Sequence, residues 1–111
     1  MKEDLLFEVE TPLGFTIRCT RSYWEFIITK KHPALAGREQ EVKDALTNPD
    51  EIRVSRKDSN VYLFYQGNSK RWVCAVARRE GEEGFLITAY PTDAIKAGET
   101  LWKKSKSFMI Q

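Results

Sequence analysis

The chain has 111 residues, 41% of them hydrophobic and 31% charged, with six Phe, four Tyr and three Trp. That is the length of one ordinary domain, with enough apolar surface to build a core without disulfides or a structural metal. A formal net charge of only +2 permits a polyanionic partner without requiring one, so bulk charge selects no function class.

No apolar run approaches the ~20 residues that span a bilayer. The opening "MKEDLLFEVETP" carries acids where a secretory leader needs an apolar stretch. The expected location is the cytoplasm, with no membrane association. Cys19 and Cys74 both sit in apolar, strand-like runs and read as buried reduced thiols, with a disulfide as the alternative. No Cys or His pair has ligand spacing, so neither a metal nor another cofactor is expected.

In chain order, "LLFEVETPLGFTIRCT" reads as a hairpin over residues 4–20. Leu5 to Glu10 and Phe15 to Thr20 form its arms, and Pro12-Leu13-Gly14 its turn. "RSYWEFIITKK" then offers a capping-box spacing at Ser22 and Glu25, with Trp24, Ile27 and Ile28 on one helical face. A short helix stopping before Pro33 is predicted, because the residue ahead of a proline is pushed out of the α region. His32, the single histidine, falls at that helix end.

A second helix is predicted from Gly37 to Asn48, with Leu35, Val42, Ala45 and Leu46 turned to the core and Pro49 closing it. Residues 51–91 read as a β-meander: "EIRVSR", "VYLFYQ", "RWVCAVARR" and "FLITAYP", separated by Gly/Asn/Asp/Ser turns. "TDAIKAG" is predicted as one helical turn closed by Gly98. The remainder of the tail 92–111, with Lys103, Lys104 and Lys106, reads as a solvated basic end. The order β-β-α-α-β-β-β-β predicts a single α+β domain, a twisted antiparallel sheet with two helices on one face.

The period-2 rule puts Trp72, Cys74, Val76 and Arg78 on one face and Val73, Ala75, Ala77 and Arg79 on the other. Leu86, Thr88 and Tyr90 are expected to share a face. An uncovered sheet face holding Arg78, Thr88 and a tyrosine has the donors for a phosphate, since Arg offers a planar fork and Thr and Tyr offer hydroxyls. The aromatics Trp72, Tyr62, Phe64 and Tyr65 read as ordinary core, or as a stacking or partner-binding face. Imidazoles as a class titrate near neutrality, and His32 is flanked by Lys30 and Lys31, which attract phosphate. Cleavage of RNA without a metal needs a base for the 2′-hydroxyl, an acid for the leaving 5′-oxygen and fixed positive charge. His32, Arg78, Lys31 and a Tyr or Thr hydroxyl cover that inventory.

From Trp24 to Trp102 the pattern W-x-x-I, H-P, an apolar helix ending in N-P-D, two β runs and a closing T-A-Y resembles a family of small bacterial domains. That family looks like a branch of the barnase–EndoU–colicin–RelE-like nuclease superfamily. The resemblance implies a RelE/barnase-like fold and a toxin-type, metal-independent endoribonuclease. It carries catalytic roles onto His32, Arg78, Thr88 and Tyr90, with Lys30, Lys31, Arg56 and Tyr65 as expected substrate-binding side chains. RNA and a cognate inhibitor protein are the partners implied, and the protein is expected as a monomer or homodimer. Phe26 and Ala34 stand where relatives often carry a polar residue and an acid. The alternative reading is therefore a catalytically inactive relative that binds protein or nucleic acid.

Overall fold

A computed structural model describes residues 4–68 and 70–104. Strands β1 (Leu5–Glu10) and β2 (Thr16–Thr20) form the expected N-terminal hairpin. Its turn is held by the Thr11 side chain, which accepts from the Leu13 N–H at 3.2 Å. Gly14 takes φ +91° there, a conformation that side chains with a Cβ resist.

Helix α1 (Arg21–Phe26) begins directly from β2, and its cap differs from the expected one. Thr20, still extended at the strand end, accepts from the Tyr23 N–H at 3.1 Å, so the cap lies two residues before Ser22. The helix widens into a π turn over Ile27–Lys31 and stops at His32, whose φ of −142° is the extended conformation a following proline imposes. A 3-10 turn over Pro33–Leu35 leads to α2 (Glu39–Thr47), which buries Val42, Ala45 and Leu46 as predicted.

Five further strands follow: β3 (Glu51–Val54), β4 (Val61–Asn68), β5 (Arg71–Glu80), β6 (Glu83–Thr92) and β7 (Glu99–Lys103). With β1 and β2 they form one seven-stranded sheet in the order β1-β2-β6-β5-β4-β3-β7. All neighbours are antiparallel except β2 and β6, which pair in parallel over Thr16–Arg18 and Glu83–Phe85. The class is α+β, a mostly antiparallel sheet carrying two α-helices.

The tail departs from expectation. Residues 99–103 are not a loose end but an edge strand paired with β3. Gly98 makes this possible, since its φ is +78° and a Cβ there would lie 2.6 Å from the Val54 carbonyl oxygen. Nor do residues 92–98 form a helical turn. They leave β6 as an irregular strap, fastened where Arg53 and Arg56 both donate to the Gly98 carbonyl at 3.3 Å. Lys106 lies outside the described residues.

The two faces of the sheet carry two separate apolar clusters. The main core lies under the helices: Phe15, Ile17, Trp24, Ile27, Leu35, Val42, Leu46, Ile52, Phe64, Ala75, Ala77, Leu86 and Ala89 are all buried there. The opposite face holds a smaller cluster of Leu63, Tyr65 and Cys74, packed by Trp72, Val76, Tyr90 and Ile95. Both cysteines are free and buried, one in each cluster. Burial pushes the Cys19 thiol up to about 12.

Candidate functional site

The second face is less open than the sequence implied. To reach β7 from β6 the chain must pass three intervening strands, and Ile95 from the strap packs on the Leu63–Tyr65–Cys74 cluster as it does so. Beneath it the Tyr65 and Tyr90 hydroxyls and the Cys74 thiol are mutually hydrogen-bonded, and the Ala97 N–H donates to Tyr65. Burial raises all three groups: Cys74 is pushed up to about 11 despite both hydroxyls, and Tyr90 rises by burial and then by its thiol neighbour. Each is held neutral and protonated at physiological pH. Tyr65, expected on the substrate, is 1% exposed.

A bulge resets the face of β6. Thr88 lies opposite Val76 and Leu86 opposite Ala77, which leaves Ile87 as the extra residue. Leu86 therefore joins the helix-side core, and the expected sharing of one face by Leu86, Thr88 and Tyr90 does not hold. Thr88 and Tyr90 stay together on the second face.

The same bulge organises the histidine corner. Beyond Phe85, β6 has no β2 partner, and the chain from α1 to Leu35 runs beside it. The Ile87 carbonyl accepts from the Tyr23 hydroxyl at 2.6 Å and from Lys31 Nζ at 3.4 Å. Lys31 also stands over the Phe26 ring, 5.6 Å from its centroid. One residue on, the His32 ring packs against Tyr90 with centroids 5.6 Å apart and planes at 41°. The His32 backbone N–H donates to the Ile27 carbonyl at 2.8 Å. Its imidazole makes no hydrogen bond to any described residue. Thr88, two positions from Tyr90, has a buried hydroxyl with no partner. His32 and Tyr90 thus meet ring to ring, and Lys31 reaches the carbonyl that precedes Thr88.

Three other expected residues are elsewhere. Arg78 is on the second face, but four residues along β5 from Cys74, the partner of Tyr90, or about 13 Å at 3.3 Å per residue. Its guanidinium is occupied by Asp58 at 2.7 Å and Glu80 at 3.7 Å. The Asn60 backbone N–H and then Arg78 hold Asp58 below the usual carboxylate range. Arg56 is remote, tied to Glu99 at 3.1 Å and to the strap. Lys30 projects into solvent.

One feature was absent from the sequence reading. A cleft of about 640 Å³ opens at the far end of β6, between the start of α2 and the tip of the β4–β5 hairpin. Arg38, Lys70 and Arg71 line it beside Trp72, Pro91 and Thr92, with Glu41 as its one carboxylate. Arg38 and Glu41 form a bidentate pair at 2.7 and 3.1 Å. Among the described residues no three His, Cys, Asp or Glu side chains converge as metal ligands, and no helix is long and apolar enough to cross a membrane.

No family model, curated protein or solved structure matches the chain.

Proposed function

We propose that the domain is a metal-independent, toxin-type endoribonuclease of RelE/barnase-like architecture, acting at the corner formed by Lys31, His32, Thr88 and Tyr90. The observation that carries this reading is the packing of His32 on Tyr90, with Lys31 anchored on the neighbouring Ile87 carbonyl. His32 takes the proton of the RNA 2′-hydroxyl, whose oxygen attacks the adjacent phosphorus. The bond from phosphorus to the 5′-oxygen breaks, that oxygen leaves as an alcohol on taking a proton from solvent, and a 2′,3′-cyclic phosphate remains. Lys31 supplies positive charge to the phosphorane-like transition state, while the Thr88 hydroxyl lies buried beneath the corner. Tyr90 acts through its ring, because its hydroxyl is engaged with Cys74. A cognate inhibitor protein is the partner such an activity calls for.

The test is incubation of purified protein with total RNA in EDTA, followed by end analysis. Cyclic-phosphate ends that vanish in His32→Ala support the assignment; undiminished cutting by that variant removes His32 from the chemistry.

A second reading is favoured by the state of Arg78, whose charge is already matched by Asp58 and Glu80. On this reading the domain is an inactive relative that binds nucleic acid or protein. A salt titration of RNA binding separates the two binding modes, because phosphate contacts weaken steeply with salt and a protein-directed surface shows no RNA affinity to lose.

A further inference from the structure

We propose that the cleft lined by Arg38, Lys70 and Arg71 is a binding channel for single-stranded RNA, holding the strand that passes the histidine corner. The inference takes its choice of polyanion from the ribonuclease reading, but its own evidence is separate.

The charge is unbalanced and available. Three cations face one carboxylate, and that carboxylate is consumed by Arg38. Neither Lys70 nor Arg71 makes an ion pair or side-chain hydrogen bond with a described residue. Arg53 is matched by Glu51 and Arg78 by Asp58, whereas Lys70 and Arg71 are adjacent in the chain and line one concavity without a carboxylate of their own. Lys70 and Arg71 are both exposed at the cleft rim, and a phosphodiester is the anion that a lysine and a forked guanidinium accept together.

The backbone that carries Lys70 and Arg71 is held in place. Gly67 crosses so close to the opposite arm of the hairpin that a Cβ there would sit 2.0 Å from the Arg71 carbonyl oxygen. Its N–H donates to Asp50 at 2.9 Å, which ties the hairpin tip to the end of α2. The cleft also continues from the corner. Tyr90 carries His32, and the next two residues of β6, Pro91 and Thr92, are cleft walls. Arg38 reaches back to the Ala34 carbonyl at 3.5 Å, in the turn that follows His32.

The probe is a fluorescent oligouridylate, titrated by anisotropy against His32→Ala so that the strand stays intact, at several salt concentrations. Lys70→Glu/Arg71→Glu in that background is expected to weaken binding at least tenfold. It should also flatten the slope of log K against log salt by about 1.4, as loss of two single-strand phosphate contacts requires. Lys57→Glu, on a distant turn and with half the change in charge, is the control and should leave the slope nearly unchanged. An unchanged affinity or slope in the double variant overturns the proposal, as does equal affinity for polyglutamate, which would make the cleft an acidic-protein site. The two readings fail separately. Cutting by His32→Ala refutes the catalytic assignment and leaves the channel standing, whereas unaltered binding by the double variant refutes only the channel.

Discussion

His32 and Tyr90 meet ring to ring at 5.6 Å although they lie 58 positions apart in the chain. The contact joins a π turn that ends at a proline to a strand whose bulge has turned Tyr90 onto the second face. Neither part positions the imidazole alone. Without the bulge the Tyr90 ring would face the helices, and without Pro33 the helix would carry His32 past the strand.

The ring and the hydroxyl of Tyr90 have separable jobs. Tyr90→Phe keeps the surface that His32 rests on but strips the Cys74–Tyr65 cluster of a hydrogen-bond partner. We expect it to lower stability by about 1 kcal/mol in chemical denaturation while RNA cleavage stays within threefold of wild type. His32→Ala should do the reverse, abolishing cleavage with little change in melting. A Tyr90→Phe variant as dead as His32→Ala would show that the hydroxyl takes part in the chemistry.

Lys31 and Arg78 make a second contrast. Lys31→Ala is expected to slow cleavage at least tenfold, equivalent to about 1.4 kcal/mol of transition-state stabilisation. Arg78→Ala should slow it less than threefold, since that guanidinium is held by Asp58 and Glu80 about 13 Å along the strand. Single-turnover rates on one RNA substrate decide between them, and a larger effect at Arg78 would relocate the phosphate.

Glu51 predicts a pH dependence. Its carboxylate is 6% exposed. Burial pushes it upward, but the Thr100 hydroxyl at 2.6 Å and Arg53 at 2.7 Å outweigh that and leave it below the ordinary glutamate value. A group lowered on folding adds stability that is full above its unfolded pKa of about 4.3 and disappears as pH falls through the lower folded value. Wild-type melting temperature should therefore fall more steeply below pH 5 than that of Glu51→Gln. At neutral pH the variant should already be weaker by about 1–3 kcal/mol, because Arg53 loses its anion. Parallel curves for the two proteins would mean that Glu51 is not charged in the native state.

Ile95 closes the second cluster, which makes Cys74 a reporter of the strap. Cys74 is fully buried and its thiol is raised to about 11, so native protein should react negligibly with a disulfide reagent at neutral pH. Ile95→Ala should increase labelling of Cys74 at least tenfold and leave Cys19 protected under the helices. Equal labelling of both cysteines would indicate global unfolding, with no local opening of the strap.

The legible parts of this molecule are those where a local pattern and a burial pattern coincide. Alternation along residues 71–79 separated Cys74 from Ala75 correctly, and the spacing of Val42, Ala45 and Leu46 placed one helical face in the core, with Leu35 buried from the 3-10 turn ahead of it. The bulge at Ile87 was not readable, because "FLITAYP" has no glycine or other irregularity to mark a change of register. The edge strand at Glu99–Lys103 was hidden for a different reason. An edge strand with one half-buried residue, Trp102, gives almost no alternation, and its partner β3 lies far back in the chain. At the site, proximity of Lys31 to His32 was visible as adjacency, and their meeting with Tyr90 and Thr88 was implied only by resemblance. The cations of the cleft escaped notice because Arg38 and Arg71 are brought together by the tertiary fold, and neither belongs to a motif. Arg56 and Arg78 looked like phosphate ligands because their partners, Glu99 and Asp58, are contributed from elsewhere in the chain.

The lone parallel pairing of β2 with β6 has a consequence for biosynthesis. As the polypeptide leaves the ribosome, β2 emerges with only β1 beside it, and its second neighbour has yet to be translated. The antiparallel run from β3 to β6 can zip together from short turns, whereas closing this junction must gather both halves of the chain at once. Until then the inner edge of the N-terminal hairpin is an unfilled template, the stage at which a nascent copy is most apt to recruit the wrong strand.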